Sequence, residues 1–299
     1  MLARTSTMLN EPAPVPETGG ASPQAIQHHY DVGTDFYRLW LDDSLTYSAA
    51  RWNGPDSTLE SAQRDKIDFH LRAVGAGLNT RLLDIGCGWG ATLLRAVDEY
   101  GARGCTGLTL SRAQHDHIRS LARPEVEVLL ESYEDHRPKG LYDGIVSVGA
   151  FEHFARPGMR EDAKIAIYRR FFQRCRDWLA PQGRLSLQSI CWGDASAELR
   201  DRILPQDVFP ESDLPVITEI FAAASGIFQV VALENRRADY VATLEEWLRR
   251  LRARKDQVLD MRDGERLFDF YERYLRQSAI GFRKNRIHLL RIVFEPAGR

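Results

Sequence analysis

The sequence predicts an α/β chain built on a doubly wound parallel sheet, and three observations carry that prediction. The first is LLDIGCGWG, Leu82 to Gly90, where apolar residues and an acid run straight into Gly86, Gly88 and Gly90. A buried strand ends this way when the following turn must come close to a ligand, because glycines remove the Cβ atoms that would hold it off. The second is ATLLRAVDEYG, an amphipathic helix with Leu93, Leu94 and Val97 on one side, followed by the strand-like CTGLTLS. Strand, glycine turn, helix and strand form the unit that binds nucleosides at the carboxyl end of a parallel sheet. The third is the rest of the chain, in which five strands alternate with helices before a carboxyl-terminal pair of strands. A glycine turn alone can also be purely structural, so the other motifs decide its use.

Length and composition narrow the class. At 299 residues the chain can build one large α/β domain with a cap and bury a sizeable core. Hydrophobic residues at 43% and charged residues at 27% are ordinary for a globular protein. A formal net charge of −2 gives no reason to expect nucleic acid as a partner. Cys87, Cys105, Cys175 and Cys191 stand at unequal spacings without a CxxC pair, which reads as reduced thiols of a cytoplasmic protein without disulfides or a metal site. No apolar run reaches the roughly 18 residues of a membrane span. The segment MLARTSTMLNEPAPVPETGGASP lacks the apolar stretch of a signal peptide, so residues 1–22 read as a flexible leader before one domain over 23–299.

Taken in order, PQAIQHHYDVGTDFYRLWLDDSLTYSAARW crowds Tyr30, Phe36, Tyr37, Trp40, Tyr47 and Trp52 together, with a short helix over 35–41. Two readings stay open: packing into the core, or a lid over 23–57 folded across the carboxyl edge of the sheet. A helix over 58–74, with Leu59, Ala62, Ile67 and Leu71 at helical spacing, leads through GAGLN into the first strand. The second strand spans 103–110, and SRAQHDHIRSLA is the next helix, capped by Ser111. A third strand covers 127–130, and ESYEDH is a loop. LYDGIVSVGAFEHF carries a fourth strand from Asp143 to Gly149 and hands over to Phe151, Glu152 and His153. A helix over 163–179 stops at PQG, and 184–190 is the fifth strand. The polar stretch CWGDASAELRDRILPQDVFPESDLP, residues 191–215, is too long for a turn and reads as an insertion. A helix over 216–225, strand-like FQVVAL, a basic helix over 244–259, a helix over 265–278 and the strand HLLRIVF complete the chain. A dinucleotide fold for hydride transfer would want an acid about twenty residues beyond the glycines, where Thr109, Leu110 and Ser111 stand instead.

Six separate motifs then fall together: HYDVGTDFYRLWLDDSLTYS, LESAQRDKID, LLDIGCGWGATLLRA, GLTLSRAQ, IVSVGAFEHF and DYVATLEEW. Over 27–294 the chain resembles the S-adenosylmethionine-dependent cyclopropane fatty acid synthases and mycolic acid methyltransferases. The resemblance implies a Rossmann-like, seven-stranded class I methyltransferase sheet with an N-terminal helical lid and an insertion over 191–215 capping the substrate pocket. Position by position, it implies cofactor contacts from Tyr47 and Ser48 in the lid, and from Asp84, Gly86 and Gly88 around the methionine and ribose. Thr109, Leu110 and Gln114 match the ribose-binding positions, which accounts for the missing acid. Tyr133 and Glu134 stand beside the adenine where the family usually has Trp-Glu, and Val148 faces the reacting centre.

The activity so implied is methyl transfer to a carbon of a C=C bond in an apolar substrate, an unsaturated acyl chain or an isoprenoid alkene. An alkene is a poor nucleophile, so it must be held in line with the methyl and shielded from water. Aromatic faces can stabilise the resulting cation, and Tyr30, Phe36, Tyr47, Phe151 and Tyr240 are the candidates. A base must then remove a proton. In the relatives a bicarbonate ion, held by a Cys, a Glu, a His and a Tyr, serves as base. Here Glu152 and Tyr240 are kept, but Ala49 takes the Cys position and Gln188 the His position. The expected catalytic set is therefore Glu152, Tyr240 and Gln188, with bicarbonate stripped of two partners and Glu152 itself the base, its pKa raised by an apolar pocket. The basic runs RRLRARK and FRKNR read either as solvated surface or as contacts for a carrier protein, a lipid headgroup or a diphosphate. A small-molecule N- or O-methyltransferase and a non-catalytic cofactor-binding protein are the alternatives, and a homo-oligomer is compatible with each.

Overall fold

The computed structural model describes residues 20, 22, 32–195 and 211–298. Five parallel strands run in the expected places: β1 (Arg81–Ile85), β2 (Gly104–Thr109), β3 (Val126–Leu130), β4 (Tyr142–Val148) and β5 (Leu179–Trp192). The carboxyl-terminal pair is β6 (Phe228–Asn235) and β7 (Ile287–Pro296), and the single sheet has the order β3-β2-β1-β4-β5-β7-β6. β7 lies antiparallel to both of its neighbours. The strand order reverses between β1 and β4, which opens a crevice at their carboxyl ends, where such sheets bind ligands.

Both faces of the sheet are covered. On one, α2 (Leu59–Ala73), α3 (Ala91–Tyr100) and α4 (Arg112–Ser120) bury Ile67, Leu71, Leu93 and Ile118 against Leu82, Cys105 and Val146. On the other, α5 (Glu161–Trp178) and α6 (Ile217–Ala224) pack Tyr168, Phe171, Phe172 and Ile220 against Leu83, Ile145, Leu185 and Ile292. Local chemistry sets the helix starts. Thr58 and Ser61 form a reciprocal capping box at α2, and the Ser111 side chain accepts from the Gln114 amide at 3.3 Å to open α4.

Beyond the carboxyl edge lies a third apolar cluster. Its floor is α7 (Arg237–Ala253), α8 (Lys255–Leu259) and α9 (Gly264–Arg283), and against it sits the short α1 (Thr34–Arg38) with Phe36, Tyr37 and Trp40. Tyr37 packs edge-on against Tyr271 and Trp40 edge-on against Trp247, while Phe36 lies tilted on Tyr271, and burial of each stabilises this layer by about 1.5–3 kcal/mol. The Trp89 indole N–H donates to Thr34 Oγ1 at 3.2 Å, which ties this layer to the glycine turn. Of the two readings of the aromatic segment, packing into the core describes Phe36, Tyr37 and Trp40, which are buried in the third cluster.

Several boundaries differ from the sequence expectation, and the basic helix expected over 244–259 is two helices, α7 and α8, that part at Arg254. The basic helix opens at Arg237 instead of 244, because Asp239, Tyr240 and Thr243 are already buried at helical spacing. The last helix runs on to Arg283. β5 begins at Leu179 and passes through Pro181 and Gly183 with one register slip before Arg184 pairs with Gly144. Residues 1–19 and 21 of the expected leader, residues 23–31 of the expected lid with Tyr30 among them, and residues 196–210 of the insertion expected over 191–215 lie outside the described residues, while Cys191 and Trp192 at the start of that insertion end β5.

Candidate active site

The turn after β1 sets the geometry. Gly86 has φ 81°, and a Cβ there would stand 2.6 Å from the Ala150 Cβ, so the β1 and β4 ends approach as closely as only glycine permits. Gly88 has φ 57° and meets nothing within 4 Å, because the space beside it is a cavity of about 370 Å³. Its walls include every residue expected at the cofactor: Tyr47, Ser48, Asp84, Gly86, Gly88, Thr109, Leu110, Gln114, Tyr133, Glu134 and Val148. The volume falls within the roughly 300–1,000 Å³ usual for small-molecule sites.

The two ends of this cavity differ in chemistry. At one end Thr109 Oγ1 donates to Gln114 Oε1 at 2.7 Å and accepts from the Ser111 amide, so the Gln114 amide is fixed in orientation. Tyr133 is buried there, tilted against Phe154 with ring centroids 4.5 Å apart. At the other end Asp84 faces α2 and α3, and burial raises its pKa to about 7 against the weaker pull of Lys66 and the Thr92 hydroxyl. Gln63 of α2 donates to the carbonyls of Thr46 and Ser48 at 3.2 and 2.9 Å and holds that loop over the glycines.

A second, smaller cavity of about 80 Å³ adjoins the first and shares Tyr47, Ser48, Gly149 and His153 with it. Glu152, Gln188 and Tyr240 all line it, with Ala49, Leu214, Leu244, Phe282 and Leu289 among the apolar wall. The short helical turn after β4 (Phe151–His153) delivers Glu152, which is 6% exposed. Its Oε1 accepts from the Ile190 amide at 2.6 Å, while Oε2 is buried with no hydrogen-bond partner among the described residues. Burial lifts this carboxyl to about 7, outweighing the Ile190 amide and the Ser189 hydroxyl, which favour the charged form. Beside it His153 donates or accepts through Nδ1 at 2.7 Å from Ser212 Oγ, and burial pushes it down to about 4, so it is neutral at pH 7.

Gln188 is held from behind. It lies opposite Arg291 in the β5–β7 register, and Arg291 Nε donates to its Oε1 at 2.7 Å. Arg291 is fully buried; its Nη2 donates to the Ala50 and Ala49 carbonyls at 3.0 and 3.3 Å, and Nη1 stands 3.6 Å from Asp239. With its oxygen engaged by Arg291, the amide of Gln188 has its N–H donors left for other partners.

Some sequence expectations are corrected here. Phe36 and Phe151 line neither cavity: Phe36 packs on Tyr271, and Phe151 stacks on Tyr168 at 4.5 Å. Of the aromatic candidates within the described residues, Tyr47 and Tyr240 reach the chamber. Within RRLRARK, Arg249 and Arg250 pair with Glu246, Arg250 also with Glu60 at 2.7 Å, and Arg252 with Glu272. In FRKNR, Arg283 pairs with Glu245 and Arg286 donates to the Asp194 carbonyl. Sequence reasoning missed Lys66, His153 and Arg291. For Lys66 and Arg291 the available signal was a charged residue at a position where the helix or strand pattern demands an apolar one.

The model of the mycolic acid cyclopropane synthetase family matches residues 20–292, most of the chain. The chain belongs to this family. A cyclopropane mycolic acid synthase 2 from Mycobacterium leprae is 35% identical over 300 residues, 92% of this chain and 94% of the relative. Among solved structures, the cyclopropane synthase MmaA2 from Mycobacterium tuberculosis superposes with TM-score 0.82 at 31% identity, over 92% of this chain and 98% of that one. The mycolic acid cyclopropane synthase CmaA1 complexed with SAH and CTAB gives TM-score 0.81 at 34% identity with the same coverage. The seven-stranded sheet is thus that of the class I methyltransferases, as are the helices on its two faces. Among the described residues of this synthetase homologue, no helix is long and apolar enough to cross a membrane.

Proposed function

We propose that this chain transfers a methyl group from S-adenosylmethionine to a carbon of a C=C bond in an apolar substrate, with Glu152 as the proton acceptor. The observation that carries this reading is Glu152 Oε2, buried without a partner on the wall of an apolar chamber that opens beside the glycine turn. Membership of the cyclopropane synthetase family supports methyl transfer, and the relative crystallised with SAH and CTAB supports a cofactor beside an apolar ligand.

The residues fit the cofactor. The bend at Gly86 and Gly88 leaves room for a nucleoside, Tyr133 and Phe154 offer an aromatic face, and Asp84 offers an acid near a cationic ligand. When bound, the sulfonium supplies an electrophilic methyl. The shared wall of Tyr47, Ser48, Gly149 and His153 is where that methyl meets the alkene. Tyr47 and Tyr240 present ring faces to the positive charge left on the substrate carbon after the new C–C bond forms, and neither captures it. Glu152 Oε2 then takes a proton, either from the added methyl, whose C–H electrons close a cyclopropane, or from a neighbouring carbon, whose electrons form an alkene. Neutral His153 and the apolar wall keep competing charge and water out. This reading gives the proton directly to Glu152, because Ala49 brings no polar side chain and Gln188 has its oxygen tied to Arg291.

A base whose pKa is about 7 is ionised above that pH and protonated below it. With S-adenosylmethionine saturating, so that the ionisations of Lys66 and Asp84 in the free cofactor site do not enter, log kcat/KM for the apolar substrate should drop with unit slope below about pH 7 and level off above it, because the raised value means the active form is lost as pH falls. A flat profile between about pH 5.5 and 8.5 contradicts the assignment. The reaction itself is tested with S-adenosylmethionine carrying a ¹³C methyl and a panel of unsaturated acyl chains, isoprenyl diphosphates and amines. Label bonded to substrate carbon supports the reading. Label on nitrogen or oxygen, or tight cofactor binding with no turnover across the panel, overturns it.

A further inference from the structure

We propose that Lys66 is a further cofactor-binding residue, its ammonium pairing with the carboxylate on the amino-acid arm of S-adenosylmethionine. The inference rests on the cofactor reading above. Lys66 lies on α2, on the face that also buries Ala62, Gln63, Ile67 and His70, and it is 2% exposed. Its Nζ donates to Ser48 Oγ at 2.9 Å, and among the described residues no carboxylate oxygen comes within 4.0 Å of it. A buried ammonium whose hydrogen-bond partner is a neutral hydroxyl is far short of replacing its lost hydration. Asp42 and Asp84 favour its charge from a distance while Arg291 opposes it, and burial holds its pKa at about 7. The group therefore lacks an anion on the side that faces the cavity, and the cavity is where one can be delivered.

Location decides which anion. Ser48, the partner of Lys66, belongs to the wall between the two cavities, whereas Tyr133 and Gln114 line the first cavity away from that wall. The donor methyl has to be presented at the shared wall, so the sulfur and the amino-acid arm bonded to it lie at the Lys66 end. That arm ends in one carboxylate and one ammonium, and Lys66 with Asp84 offers one group of each opposite sign. The assignment also gives a role to a lysine on the buried face of α2.

The test compares S-adenosylhomocysteine with its decarboxylated analogue, which lacks only the carboxylate, by titration calorimetry on the full chain. The wild-type protein should bind the intact ligand about 10- to 100-fold more tightly. Lys66→Met should remove that difference by weakening S-adenosylhomocysteine while leaving the analogue within about twofold, and Lys66→Arg should restore part of it. Equal wild-type affinities, or a Met variant that weakens both ligands alike, overturn the proposal, and the wild-type comparison stands even if the Met variant fails to fold. If the wild-type protein binds neither ligand, the cofactor reading itself fails, an outcome distinct from equal binding of both.

Discussion

Glu152→Gln should lower turnover by about 10²- to 10⁴-fold while S-adenosylhomocysteine affinity stays within about twofold. The substitution keeps the shape of the side chain and leaves a carbonyl oxygen to accept from the Ile190 amide, the contact that now measures 2.6 Å. What it removes is the basic Oε2, the atom that reaches the chamber without a partner. No other described group on that wall is placed to take over, for His153 is held near a pKa of 4 and Gln188 is an amide. The check is a single-turnover assay alongside calorimetry of cofactor binding. Full turnover in the variant would mean that another group or a bound ion accepts the proton.

Arg291→Met should destabilise the fold by about 3–5 kcal/mol, measured by urea unfolding. The guanidinium is fully buried and donates to Gln188 Oε1 and to the Ala49 and Ala50 carbonyls. Methionine fills similar space but leaves three acceptors without donors, each costing about 1–3 kcal/mol. Part of this loss is offset because burying the cation is itself unfavourable, as its pKa of about 10 shows. Asp239 is less affected, since Arg236 remains 2.7 Å from it. The same change frees the Gln188 amide to rotate and loosens the loop after Tyr47, so residual activity should fall even in protein that remains folded. A loss below about 0.5 kcal/mol would show that water or other donors satisfy those carbonyls as well.

Much of this site could be read from residues in line because its chemistry is local. The glycine turn, the Ser111 cap, the strand ends carrying Asp84 and Thr109, and the turn after β4 carrying Glu152 depend on short-range backbone geometry, and short motifs record it. Lys66 and Arg291 depend on partners on other elements: Ser48 on the loop after α1 for one, Gln188 and Ala50 for the other. A one-dimensional pattern shows such residues only as charges out of place. The opening of α7 at Arg237 is hidden for a related reason, since Asp239 reads as a loop residue in sequence while in the fold it pairs with Arg236 at 2.7 Å. Pro181 and Gly183 likewise read as a break, although the strand absorbs them with a register slip. Phe36 and Phe151 show the limit of composition, for aromatic residues near a site in sequence can serve packing alone.

The arrangement of two adjoining cavities, one for the methyl donor and one for the alkene, is tested most directly by a crystal structure with S-adenosylhomocysteine bound. The sulfur should lie at the wall formed by Tyr47, Ser48, Gly149 and His153 and face the chamber of Glu152, with the adenine against Tyr133. A sulfur directed away from Glu152, or a nucleoside bound anywhere other than the bend at Gly86 and Gly88, would contradict it.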